Sequence, residues 1–226
     1  MTTTGVDRAG QGVDVVLRDG FSVRIRPVLA EDRPAVRAFL GGLSSESVGL
    51  RFFGAVDLDW AASLSVDVND TDRYGLVATG GSDHAIVAHG GYVREDAHRA
   101  EVAFVVAEAF HHLGLATILL GRLAAFANAH GISVFTAVVL PYNHQMIDVF
   151  RDSGFSVELR TQNGETLVEL KTSPAPRVGI EPWPSGGWAV KLHDHTPVSR
   201  HDTEDEAQAK ATAYQRGLEN EQAEGS

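Results

Sequence analysis

The segment that most restricts the possible folds is RAEVAFVVA, residues 99–107, followed after a short polar break by LGLATILLGRLAAFANAHG. The first stretch is almost continuously apolar, the pattern of a strand buried on both faces in the middle of a sheet. In the second, Leu115, Leu119, Leu123 and Phe126 recur at i, i+4, i+8 and i+11, and Gly131 follows as a stop, which predicts an amphipathic helix. SVFTAVVL (133–140) is another buried strand, ended by Pro141. A strand covered on both faces needs strands beside it and helices above and below, so the chain must be layered sheet and helix.

The flanking sequence fills in such a sheet. FSVRIRPV (21–28) alternates as a half-buried strand, and Glu31, Asp32 and Pro34 open a helix with acids in its first turn. A second short helix is expected over SSESVGLRFFG (44–54). RYGLVATG (73–80) and HAIVAHGGYVRED (84–96) read as a hairpin, with Gly90-Gly91 marking a bulge. NHQMIDVFRDSG (143–154) is a short helix with Asn143 as N-cap, and a hairpin turned at Asn163-Gly164 closes the domain. The fold class expected is α+β (α/β), a mixed, mostly antiparallel sheet flanked by helices and splayed near residues 105 and 140, with a small C-terminal ββα domain. Residues 1–20 are expected as a flexible N-terminus, 21–173 as the main domain and 174–184, with four prolines, as a linker. The small domain covers 178–219: GGWAVKLH is strand-like, Thr203 and Glu206 form a capping box, and Ala207, Ala211, Tyr214 and Leu218 share a helical face. Residues 220–226 are expected to be a disordered tail, and 55–72 and 92–98 to be loops on the acceptor side.

Composition removes several kinds of chemistry. The 226 residues include no cysteine, which excludes disulfides, thiolate zinc sites, iron–sulfur clusters and a cysteine nucleophile. A formal charge of -11 repels nucleic acid and anionic membrane and favours cationic partners. No apolar run approaches the roughly 20 residues of a bilayer span, and the N-terminus lacks a signal-peptide apolar segment, so a cytoplasmic protein is expected. Ten histidines include His111-His112 and His193-Asp194-His195 with His201, but no H-E-x-x-H or comparable spacing occurs, and no metal site is expected.

The stretch His111, His112, Leu113, Gly114, Leu115, Ala116, Thr117 stands immediately before helical periodicity begins. A helix N-terminus offers unpaired N–H groups and roughly half a positive charge, and the small residues Gly114 and Ala116 let an anion approach the backbone. In an acidic chain such donors are a means of holding a pyrophosphate.

H-x-x-G-x-A after AEVAFVVAEAF resembles the acetyl-CoA pyrophosphate motif of the GNAT superfamily of N-acetyltransferases, usually Q/R-x-x-G-x-G/A. VRIRPVLAED is similar to that family's first strand, and Asn143, Met146, Phe150, Gly154 and Phe155 to its last motif, N-x-x-M-x-x-x-F-x-x-x-G-F. The opening RDGFSVRIRPV through LRFFG is similar to the GNAT domain of bacterial protein lysine acetyltransferases, and Val178 to Leu218 to a small uncharacterised ββα family.

The resemblance implies acetyl-CoA as co-substrate and no metal. It implies that Val105 and Val106 offer main-chain groups to the pantetheine arm, that His111, His112, Leu113, Gly114, Leu115, Ala116 and Thr117 bind the pyrophosphate, and that Asn143 contacts the cofactor from the other side. By residue type alone, a lone Glu101 in an apolar strand reads first as a strand-edge or hydrogen-bonded residue; the resemblance makes it the general base. Main-chain N–H of Val105 or Val106 would steady the thioester oxyanion. His111 replaces the usual Gln or Arg, so weakened or pH-sensitive binding is expected. Phe150 stands beside the cofactor where many members carry a tyrosine acid, and Tyr142 is the substitute candidate. The acceptor implied is a cationic amine, preferably a protein lysine such as one on an acyl-CoA synthetase. A small amine or polyamine acceptor, or an acyl-CoA sensor without turnover, is the alternative; oligomeric state stays open.

Overall fold

The computed structural model describes residues 12–174, 178–182, 185–192 and 197–213. Val13–Val16 (β1) and Ser22–Pro27 (β2) form an antiparallel hairpin with Val13 opposite Ile25 and Val16 opposite Ser22. Residues 12–20 therefore differ from the flexible segment expected of them. Leu17 is buried, and the Asp19 carboxylate accepts the N–H of Phe21 at 2.9 Å to close the turn. Strand β1 is only four residues with a mostly exposed pattern, so its order comes from the β2 edge it pairs with.

Three helices follow, the second and third begun by a capping side chain. Asp32 precedes Arg33–Gly42 (α1), accepts the Leu29 N–H at 2.8 Å and pairs with Arg26 at 2.6 Å. Helix α1 buries Val36, Phe39 and Leu40. Ser44 caps Ser45–Phe52 (α2) by accepting the Ser47 N–H at 3.0 Å, and that helix ends at Phe53 in the left-handed region, φ 59°. Asp57 caps Leu58–Ser65 (α3) through the Trp60 N–H at 2.7 Å. The stretch 55–72 is thus partly helical where a loop was expected; Ala61 and Ala62 are fully buried and tie α3 down.

Arg73–Gly80 (β3), Ala85–Arg94 (β4) and Arg99–Val106 (β5) make the antiparallel meander. Its irregularity falls between Ala78 and Thr79, whereas Gly90 and Gly91 stay in register. Those glycines answer to close approach: a Cβ on Gly90 would come 2.9 Å from the Phe104 Cβ, and one on Gly91 2.9 Å from the Tyr74 carbonyl oxygen. Leu115–Ala129 (α4), Val134–Val139 (β6), His144–Arg151 (α5), Phe155–Gln162 (β7) and Glu165–Pro174 (β8) complete an eight-stranded sheet ordered β1-β2-β3-β4-β5-β6-β8-β7. Asn143 caps α5 as its sequence position predicts, its Oδ1 accepting the Met146 N–H at 3.1 Å. β5 and β6 run parallel and every other ladder from β1 to β6, with β6–β8, is antiparallel, so the sheet is mixed and mostly antiparallel, flanked by helices.

Strand β5 is sandwiched as its composition demands. Val102, Phe104 and Val106 belong to the core cluster with Leu119, Leu123 and Phe150, while Val105 belongs to the one with Val36 and Leu40. Each fully buried side chain of this size contributes about 1.5–3 kcal/mol. His89 on β4 is a polar intruder beside Val105, 4% exposed, with Nε2 donating to the Ser65 carbonyl at 3.1 Å.

By internal contacts the chain divides into two compact units, Met1–Ser173 and Pro174–Ser226. In the second, Val178–Pro182 (β9), Trp188–Leu192 (β10) and Pro197–His201 (β11) form a three-stranded antiparallel sheet ordered β11-β10-β9, followed by helix at 204–213. The unit has three strands before its helix where two were expected, and β9 occupies the expected linker. Proline is tolerated there because β9 is an edge strand and Pro182 lies at its end. Glu206 N–H donates to Thr203 Oγ1 at 3.3 Å, and Ala189, Ala207 and Ala211 are buried. Trp188 is half-buried; Trp183, Tyr214, Leu218 and the 220–226 tail lie outside the described residues.

Two outcomes follow for stability. Gly91→Ala should cost about 1–3 kcal/mol in urea unfolding, because backbone must yield to the new Cβ. Burial, reinforced by the Arg51 charge, pushes His89 down to about 4. The unfolded chain then binds a proton below pH ~6.5 that the folded chain refuses, so stability is full above that pH and falls as pH drops toward 4. The loss is at most on the order of 3 kcal/mol, and His89→Gln, which keeps a donor for Ser65, should flatten the pH profile of the denaturation midpoint.

Candidate active site

The site is built where two neighbouring strands part. β5 and β6 pair over three positions only, Arg99 with Val134, Ala100 with Phe135 and Glu101 with Thr136. Both strands continue, β5 to Val106 and β6 to Val139, so a wedge opens beyond Glu101. It begins nearer the start of β5 than the splay expected at residues 105 and 140. A cleft of about 310 Å³ occupies it, walled by β5, β6, α2, α5 and the start of α4.

Strand alternation decides which main-chain groups face this cleft. The Ala107 N–H donates to Val87 on β4 at 2.9 Å, and the Arg99 carbonyl accepts the Glu95 N–H at 2.9 Å, so odd-numbered residues direct their amide groups toward β4. Even-numbered residues face β6, and past the vertex Phe104 and Val106 direct N–H and C=O into the wedge. Val105 therefore departs from the role expected of its main chain: it lies opposite His89 in the β4 ladder and only borders the cleft. The Phe104 main chain faces the cleft instead, at a residue the sequence reading missed, although the parity of a strand with a known vertex would have named it.

Glu101 is exposed, lines the cleft and occupies the vertex, the last paired position before the strands part. His111, His112, Gly114, Leu115, Ala116 and Thr117 also line it. Gly114 is the N-cap of α4 at φ 86°, a left-handed position that suits glycine, and no acid occupies the first turn of α4. Leu113 is different: its side chain packs against the core and its carbonyl accepts the Arg18 N–H at 3.3 Å. His112 has φ 62° and accepts from the Gln145 amide at 3.3 Å. His111 turns inward, its Nε2–H donating to the Val106 carbonyl at 2.9 Å, which commits one ring nitrogen and one wedge acceptor to each other. Asn143 borders the cleft, and Phe150, 1% exposed, packs on Phe104 with ring centroids 5.7 Å apart.

Tyr142 is not brought to the cleft. It lies in the turn before α5, is 67% exposed and is not among the residues that wall the cleft.

Arg51 of α2, unremarked in sequence, lines the cleft with its Nε buried and without a hydrogen-bond partner. Burial draws its guanidinium down to about 10, and the charge of Glu101 opposes that shift. Helix α2 is held to the start of the loop before α4 by Glu108, whose carboxylate accepts from Ser47 Oγ at 2.7 Å and the Ser44 N–H at 3.0 Å. These two bonds, Ser47 first, hold Glu108 down at about 2. Among the described residues no group of His, Asp and Glu converges as metal ligands, and no helix is long and apolar enough to cross a membrane.

The profile of the acetyltransferase (GNAT) family matches residues 49–155, the span from α2 through the cleft to the end of α5. The GNAT domain of S. lividans PAT superposes with a TM-score of 0.65 at 34% identity, covering 72% of this chain and 98% of that domain. The chain belongs to the GNAT acetyltransferase family. It is also 32% identical over 177 residues to acetyltransferase Pat of Mycolicibacterium smegmatis, covering 75% of this chain and 52% of Pat, so it spans about half that relative's length. These likenesses place it beside the Pat acetyltransferases. YncA of Salmonella typhimurium, solved with its cofactor acetyl-CoA, shares the fold with a TM-score of 0.54 at 18% identity, over 67% of this chain and 94% of YncA.

Glu108→Ala should free the start of α2. Amide hydrogen exchange at residues 45–50 is expected to quicken about tenfold while α4 stays protected; unchanged exchange would show that the carboxylate is not what holds the helix.

Proposed function

We propose that this protein transfers an acetyl group from acetyl-CoA to a primary amine, with a lysine side chain of a protein as the preferred acceptor. The observation that carries the proposal is the wedge: a strand edge on which the main chain of Phe104 and the Val106 N–H face the opening leads from a donor-rich helix start to a carboxylate at its vertex. The strand edge suits the amides of a pantetheine arm, which add to it as another strand would. The start of α4 suits a pyrophosphate. Supporting the acceptor class are the acidic chain and the likeness to Pat and S. lividans PAT.

The chemistry asks little of the residues. A lysine amine near pKa 10.4 is almost wholly protonated at neutral pH, and exposing its lone pair costs roughly 4–5 kcal/mol. Glu101 removes that proton directly or through one water, and the freed nitrogen attacks the thioester carbonyl. The Val106 or Phe104 N–H steadies the oxygen as charge gathers on it. Phe150 carries no proton and Tyr142 stands outside, so the thiolate departs without an acid, as suits a thiol with pKa near 8.5. With no cysteine to carry the acyl group, transfer is direct within a ternary complex.

Two observations favour a second reading, an acyl-CoA-binding sensor without turnover: the inward-turned His111 and the buried Phe150. Calorimetry with acetyl-CoA and CoA, then acetylation of a lysine-bearing acyl-CoA synthetase and of polyamines, separates the readings. Glu101→Gln is expected to lower kcat by about 10²–10⁴-fold with acetyl-CoA affinity retained and sequential kinetics in the parent. Binding without turnover toward any amine leaves the sensor; no binding at millimolar ligand abandons both.

A further inference from the structure

We propose that Arg18, in the turn of the N-terminal β1–β2 hairpin, is the cation that pairs with the pyrophosphate of acetyl-CoA at the start of α4. This inference rests on the acetyl-CoA reading above. The family pattern places Gln or Arg at the position of His111, yet here the imidazole Nε2–H is spent on the Val106 carbonyl. The chain has therefore lost a donor where the ligand carries its charge, and the first turn of α4, residues 115–118, carries no cation.

Arg18 stands where the replacement is needed. It lines the same cleft, and its Nε lies 3.6 Å and its Cζ 4.0 Å from the point a Cβ on Gly114 would occupy. The guanidinium thus lies over the one N-cap that has no side chain of its own. It pairs with no carboxylate among the described residues. The neighbouring Asp19 is occupied in the turn by the Phe21 N–H.

The hairpin is fastened to the loop it serves. Arg18 N–H donates to the Leu113 carbonyl at 3.3 Å, Leu17 is buried in the core, and Phe21 meets Phe110 edge-on with centroids 5.4 Å apart. These contacts fix the base of the side chain and leave its exposed head able to close on a diphosphate, for which the planar guanidinium is suited. In a chain of charge -11, one cation so placed changes the local potential more than it would in a basic protein.

The test compares the full chain with Arg18→Gln and Arg18→Lys by calorimetry, using acetyl-CoA, its 3′-dephospho form and S-acetylpantetheine, the last followed by ligand NMR. Arg18→Gln is expected to raise Kd about tenfold for both nucleotide ligands, to leave S-acetylpantetheine unchanged and to flatten the salt dependence, with Arg18→Lys recovering part of the loss. Unchanged Kd for acetyl-CoA overturns the inference alone. Equal loss for S-acetylpantetheine overturns it by assigning Arg18 a packing role in the hairpin. Loss confined to acetyl-CoA and absent with the dephospho form overturns the pyrophosphate assignment in favour of the 3′-phosphate. A parent chain that binds none of the three overturns the acetyl-CoA reading and this inference with it.

Discussion

The parting of β5 from β6 after Glu101 and Thr136 is the constraint on which the site depends. A central strand leaves its amide groups unpaired only at a cost of about 1–3 kcal/mol each when they are shielded from water. The fold sustains that cost because each strand is held on its far side: β5 by β4 from Arg94–Ala100 to Ala88–Val106, and β6 by β8 from Val134 to Val139. Phe104 and Phe150 pack within the core beneath the opening, so the wedge is supported from below. One interruption thereby yields both a place for a ligand's own amides and a vertex for the carboxylate.

Around that opening α2 and the loop before α4 are tied together. Glu108 follows β5 by two residues and holds the first turn of α2, whose next turn carries Arg51 into the cleft near Glu101. The β1–β2 hairpin is pinned to the same loop from the other direction through Leu113 and Phe110. The Arg51 Nε is buried without a hydrogen-bond partner.

Elements that carry their own period or cap were legible. Leu115, Leu119 and Leu123 are all buried on one face of α4, and Asn143 caps α5 where its position before the apolar period placed it. Elements that depend on a neighbour were not. Strand β1 exists on the edge of β2, α3 is eight residues held by two buried alanines, and β9 is an edge strand that ends at Pro182. Gly90-Gly91 shows the same limit, since a glycine pair looks alike in sequence whether it admits a bulge or another backbone.

The sequence by itself determined the kinds of elements, the donor-rich start of α4, the absence of thiol chemistry and the position of Glu101 on a buried strand. These depend on local periodicity, caps and composition, which a linear chain displays. The tertiary structure alone decided that Phe104 and Val106 rather than Val105 face the cleft, that His111 turns inward, that Tyr142 stays outside, and that Arg18 and Arg51 enter. Those outcomes are set by strand parity about a vertex made with β6, and by a hairpin and a helix brought in from 50 to 96 residues away in the chain. No local pattern encodes a distance of that kind, because it exists only once the sheet has closed around α4.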